Sequence, residues 1–260
     1  MDSYDLQARH APIVFVLLPI IIVALALVPS LGGAKLAAGS IGLILVTGLG
    51  FVATRLGRAM GYARQDALFA SWDGKPTTAM LRLRDTRLNP QTKLIYRDRL
   101  THLGPHFPLP TAADEAETPD AADIKIDAAM SEVRTRAKAR GIKLVHRENI
   151  NYGAARNAFG LKPFGLGACL IGAIGLGAAI YVREKPSIMP LDIVVAMAII
   201  CITATWLLAC RGARVRHHAE AYALALFEAI DVVVTQPKVS KPRSTTPRKK
   251  GQRSGNAAED

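Results

Sequence analysis

The stretch PFGLGACLIGAIGLGAAIYV, residues 163–182, holds no charged side chain over 20 positions. A helix rising about 1.5 Å per residue needs about 20 apolar residues to cross a hydrocarbon core of about 30 Å. Backbone in lipid must satisfy its own hydrogen bonds, so this run reads as a transmembrane helix and not as an open strand. Three similar runs accompany it. Residues 11–34 and 36–54 are uncharged, and residues 186–210 carry only Asp192. The first run is longer than a signal-peptide core, and its flank holds two acids and one arginine, so it reads as a retained span that Pro19 kinks.

The segregation of apolar residues decides the class. The 260-residue chain is 50% hydrophobic yet carries a net charge of +12. A single soluble globule would spread those residues at helical or strand periods, so that class is excluded, as is disorder over most of the chain. The expected fold is an all-α membrane protein: four transmembrane helices as two hairpins, with a mainly helical cytoplasmic domain between them. The boundaries read as 1–56, first hairpin; 57–161, cytoplasmic helical domain; 162–210, second hairpin; 211–235, amphipathic helix; and 236–260, a disordered basic tail.

Orientation follows from the basic residues. Of 33 Lys and Arg, only Lys35, Arg183 and Lys185 fall in the hairpin tips. Cytoplasmic loops carry the excess of Lys and Arg, so the N-terminus, residues 57–161 and the C-terminus are expected in the cytoplasm. The Ala- and Arg-rich composition points to a bacterial inner membrane. Cys169, Cys201 and Cys210 all lie in the last two spans and read as packing residues, not as a disulfide or metal framework.

The spans offer little chemistry. Asp192 follows Pro190 at a helix start, where a carboxylate caps the N-terminus. Ala168, Gly172, Gly175 and Ala179 recur at helical spacing and make one smooth face. That face serves either packing within the chain or a homo-oligomer. Arg211, Arg214 and Arg216 follow the fourth span, where they are expected to meet anionic lipid head groups of the bilayer. The tail lacks interleaved aromatics, so no specific nucleic acid is expected.

Between Arg55 and Lys162 there are 19 basic and 12 acidic residues. The second span is expected to continue inward as a helix to Phe69. Asp73-Gly74 then marks a turn, and residues 79–86 read as a short helix. Asn89-Pro90 reads as a cap and first residue of a helix to about Leu103. Thr111 and Asp114 have the form of a capping box, and Thr118-Pro119 opens a helix whose Ile126, Met130, Val133 and Ala137 face a core. Residues 142–145 read as a brief strand or extended link, and residues 149–161 lead into the third span either as an interfacial helix or through a structured loop over 149–156. Arg211 to Val234 reads as one helix, with Tyr222, Leu226, Ile230 and Val233 on its buried stripe.

Two loop clusters are candidate ligand-binding residues. Lys75, Thr77, Thr78 and Arg82 could hold an anion by charge-assisted hydrogen bonds, although Pro76 and a missing upstream glycine exclude a Walker A loop. Asn149, Asn151 and Arg156 suit a polar ligand at the membrane surface. Both clusters flank the spans and are expected to line one basic pocket. The bland alternative is a solvated turn for the first cluster and, for the second, a structural loop whose Asn side chains bond the backbone. No catalytic constellation, metal site or cofactor motif is present: His102 and His106 are separated by Gly104-Pro105, and His217-His218 point to different helix faces.

The stretches FASWDGKPTT (69–78), PLPT (108–111), RENINYG (147–153) and GLKPFG (160–165) resemble a family of uncharacterised bacterial four-span integral membrane proteins. That family has a glycine where this chain has Asp73. The resemblance implies location but no activity. The expected function is a non-enzymatic inner-membrane protein with a cytoplasmic sensing or scaffolding domain, one version being a stress or defence membrane effector. The alternative is a small transporter or channel subunit.

Overall fold

The computed structural model describes residues 11–27, 55–182 and 188–235. Helix is the regular secondary structure of the described residues, joined by turns and loops, with no strand among them. In chain order the helices are α1 (Ala11–Leu27), α2 (described over 55–63), α3 (Gln65–Ser71), α4 (Pro76–Ala79), α5 (Pro90–Thr101) and α6 (Ala112–Glu117). They continue as α7 (Pro119–Ala139), α8 (Lys143–Tyr181), α9 (Pro190–Leu208), α10 (Gly212–Glu228) and α11 (Ile230–Thr235).

Two helices, α8 and α9, are long and apolar enough to cross a membrane. With α1, they pack into one apolar bundle around Val16, Val23, Cys169, Leu176, Val195, Ile199 and Trp206. Leu170, Ile171 and Ile174 on α8 and Ile193, Val194, Met197 and Ile200 on α9 are more than half exposed. An outer surface this apolar is what lipid, not water, would cover. Residues 28–54, which contain the second expected span and the end of the first, lie outside the described residues, as do the basic tips and the tail.

Glycines set how closely the bundle packs. A Cβ on Gly165 would lie 2.2 Å from the Trp206 ring, so the indole of α9 fills the notch that Gly165 leaves in α8. A Cβ on Gly172 would lie 3.3 Å from the Pro19 carbonyl, and one on Gly175 would lie 3.5 Å from Val23. Gly172 and Gly175 on the small-residue face of α8 therefore pack against α1 within the chain. Asp192 caps α9: the Met189 N–H donates to its carboxylate at 2.8 Å.

The helical domain has its own core. Ile126, Met130, Val133 and Ala137 of α7 are at most 1% exposed and pack against Leu100, Leu226, Phe227, Ile230 and Val233. The α5 cap forms as its sequence suggests, with Asn89 Oδ1 accepting from the Gln91 N–H at 2.9 Å. Thr111 and Asp114 exchange side-chain and backbone hydrogen bonds in a capping box. Gly141 ends α7 at φ +63°, a conformation that glycine tolerates without strain.

Several elements differ from expectation. Pro76 does not interrupt a helix but opens α4 as its first residue. Residues 79–86 are not a helix. The buried Lys93 ammonium gathers the carbonyls of Arg82 (2.8 Å), Leu83 and Asp85, which draws that segment into turns. The buried Arg97 bonds the Leu81 carbonyl at 2.7 Å, the Pro110 carbonyl and Glu115 at 2.8 Å. Residues 143–145 are not a strand, and of the two readings of residues 149–161 the helix holds, because α8 runs unbroken for 39 residues, about 58 Å. Its buried Val145, Ile150, Gly153, Asn157 and Leu161 recur at helical spacing, so tertiary packing overrides the weak helix propensity of Asn, Tyr and Gly. The helix inward from the second span breaks at Arg64, and the C-terminal helix breaks at Ala229.

Candidate functional site

The site begins with a close helix crossing. A Cβ on Gly160 would lie 2.6 Å from the backbone nitrogen of Gly61 and 2.9 Å from its Cα. A Cβ on Gly57 would lie 2.7 Å from Leu161. Only glycines let α2 and α8 approach backbone to backbone here. The Gly57-x-x-x-Gly61 pair was legible in the sequence and is the signal that sequence reasoning missed.

That crossing brings Tyr62 and Gln65 to Arg156. The buried Arg156 guanidinium lies 3.8 Å from the Tyr62 ring centroid and donates from Nη1 to Gln65 Oε1 at 2.9 Å. The Tyr152 hydroxyl donates to the same oxygen at 3.3 Å. The Arg156 Nε–H is buried with no hydrogen-bond partner among the described residues. Burial pushes the Tyr62 phenol up, but Arg156 and Arg58 outweigh it and hold its pKa below the ordinary value. At Tyr152 burial prevails over Arg156, so that phenol stays neutral to higher pH.

Around this arginine lies a cavity of about 300 Å³. Its walls include Tyr62, Phe69, Tyr152 and Tyr222, with Lys75 and Thr77 from the α4 turn, Arg134 from α7, and Asn149 and Arg156 from α8. Three cations line it, and none of its described lining residues is acidic. Thr77, Arg134 and Asn149 make no side-chain hydrogen bond or salt bridge among the described residues. Such unpaired donors suit an anion, because charge-assisted hydrogen bonds are the strong ones.

Lys75, Thr77, Asn149 and Arg156 thus share one cavity, although they come from separate stretches of chain. The other three candidates do not line it. Arg82 is consumed elsewhere: its Nε donates to Asp123 at 2.8 Å, Nη2 bonds the same carboxylate, and Nη1 donates to Asp73 at 2.7 Å. These bonds, Asp123 first and against burial, raise its pKa and lock it as a structural pin. Asn151 donates to Glu148 at 3.1 Å. Thr78 faces a neighbouring cleft of about 600 Å³ lined by Asp66, Asp123 and Asp127 as well as Lys75. Arg134 and Tyr62 were not singled out by sequence, and Tyr222 was read only as part of a buried stripe, because nothing in their local spacing shows that they converge with Tyr152 and Arg156.

No protein-family model, curated protein or solved structure matches this chain.

Proposed function

We propose that the chain is a four-span bacterial inner-membrane protein, built as two hairpins, whose helical domain faces the cytoplasm and senses a small anionic ligand. The supporting observation is α8 itself. Its first half carries Arg156 and Asn149 into the basic cavity, and its second half is the apolar span. A ligand that draws on Arg156 therefore acts on the same rigid element that crosses the bilayer. No catalytic chemistry is assigned. The stress or defence effector is the concrete version of this sensing role.

Other features agree with the reading. Asp73 adopts φ +61°, the left-handed conformation that suits the glycine of the four-span family resembled by residues 69–78. The exposed Arg211 and Arg214 follow α9 directly, where they would meet anionic head groups. A transporter has less support: the described parts of the bundle pack through apolar side chains, and Asp192 is engaged as a cap.

Reporter fusions test the arrangement. Fusions at Gly33 and Ser187 are expected to report the periplasm, and those after Leu103 and Gly251 the cytoplasm. A periplasmic signal from the helical domain would overturn the proposal.

A further inference from the structure

We infer that the cavity around Arg156 is a phosphoryl-group site, and that Lys75 leaves Asp127 to bind the ligand there. This deepens the sensing reading and rests on it. Donors reach the cavity from three directions: Lys75 and Thr77 beside α4, Arg134 on α7, and Asn149 and Arg156 on α8. Donors spread in this way match the tetrahedral oxygens of a phosphoryl group better than the single plane of a carboxylate, and two of them are guanidinium forks.

The rest of the wall says what the phosphoryl group is attached to. Tyr62, Phe69, Tyr152 and Tyr222 line it with aromatic side chains. A volume of about 300 Å³ is at the lower end for a small-molecule site and larger than a bare oxyanion requires. The ligand class is therefore a phosphate ester with a compact organic part. Two sources carry that chemistry. One is a soluble ester of mononucleotide size. The other is a phospholipid head group, because Arg156 precedes the apolar run at Pro163 by seven residues, about 10 Å of helix.

Lys75 lines both clefts. Its Nζ lies 2.9 Å from Asp127 Oδ2, and their side chains are 49% and 37% exposed. An ion pair this exposed is weak and easily exchanged. A phosphoryl dianion flanked by Arg134 and Arg156 offers Lys75 a more negative partner. The exchange removes one of the ties between the α4 turn and α7, the Arg82–Asp123 pin remaining, and leaves Asp127 without its cation, which is how occupancy would be communicated.

The test uses the full chain in detergent, titrated with inorganic phosphate and with adenosine monophosphate. The same chain is then placed in nanodiscs of phosphatidylcholine with or without phosphatidylglycerol, and its melting is followed. Binding of the soluble ester in detergent identifies a soluble source. Stabilisation by phosphatidylglycerol alone identifies the head group. In either case Arg134→Gln should weaken binding tenfold or more while leaving ligand-free melting unchanged, since Arg134 is exposed. Asp127→Asn should tighten binding, by up to about fivefold, because it removes the competitor for Lys75. A gain of affinity is an outcome that misfolding does not produce. No response to any phosphate-bearing probe, or wild-type affinity in Arg134→Gln, overturns the site. Unchanged or weaker binding in Asp127→Asn overturns the lysine exchange. The reporter fusions are independent of these affinities, so a failed topology and a failed phosphoryl site are distinguishable.

Discussion

Gly160→Ala is expected to separate α2 from α8 and to dismantle the cavity at its root. The added methyl would sit 2.6 Å from Gly61 N, 2.9 Å from Gly61 Cα and 3.0 Å from the Met60 carbonyl carbon. All three are backbone atoms, so no side chain can rotate away. Restoring ordinary contact near 3.5 Å moves the helices apart by about 1 Å. Overpacking of this kind costs about 1–3 kcal/mol, which outweighs the helix-propensity gain of about 0.5–1 kcal/mol from removing a glycine. At about 2–4 °C per kcal/mol for a chain of this size, Tm should fall by a few degrees and up to about 10 °C. The same displacement draws Gln65 and Tyr62 from Arg156, so any anion binding should weaken as well. Gly177→Ala on the same helix is the control, since a Cβ there meets nothing within 4 Å. It should leave Tm unchanged or raise it slightly. Thermal unfolding of both variants in one detergent decides the matter. Equal shifts in the two, or an unchanged Gly160→Ala, would refute the close-crossing argument.

Ile126→Ala, at 0% exposure in the domain core, should cost about 2–5 kcal/mol and be read as a large fall in Tm. Asp192→Ala removes the α9 cap and should cost about 0.5–2 kcal/mol without altering ion flux in liposomes. A proton current that Asp192→Asn abolished would refute the capping role and favour a transporter. Burial first, then His217 and Arg214, lowers the pKa of His218 in the fold. The unfolded chain takes up that proton first, so stability should decline as pH falls through the unfolded value of about 6.5. His218→Gln should flatten that part of a melting-versus-pH profile, and an unaltered profile would remove His218 as its cause.

Local chemistry alone determined much of this protein. Runs with no charge or a single terminal one, long enough for a membrane, marked α8 and α9, because lipid penalises unpaired polar groups wherever they fall. The Asn89 cap, the Thr111–Asp114 capping box and the Ile126–Ala137 stripe were legible because caps and 3.6-residue periods depend only on near neighbours. Tertiary structure decided the rest. It turned the Asn- and Gly-containing residues 149–156 into the middle of a long helix, since packing against α2 and α10 outweighs weak propensity. It drew residues 80–86 into turns around the Lys93 ammonium, a contact between elements that no local pattern announces. It gave Arg82 to Asp73 and Asp123 and left Arg134 to the cavity, although in sequence both are charges among other charges. Which cation is spent on a carboxylate and which stays open to a ligand depends on residues distant in the chain: α7 meeting α4 sets the partner of Arg82, and the close glycine crossing of α2 and α8 sets the surroundings of Arg156.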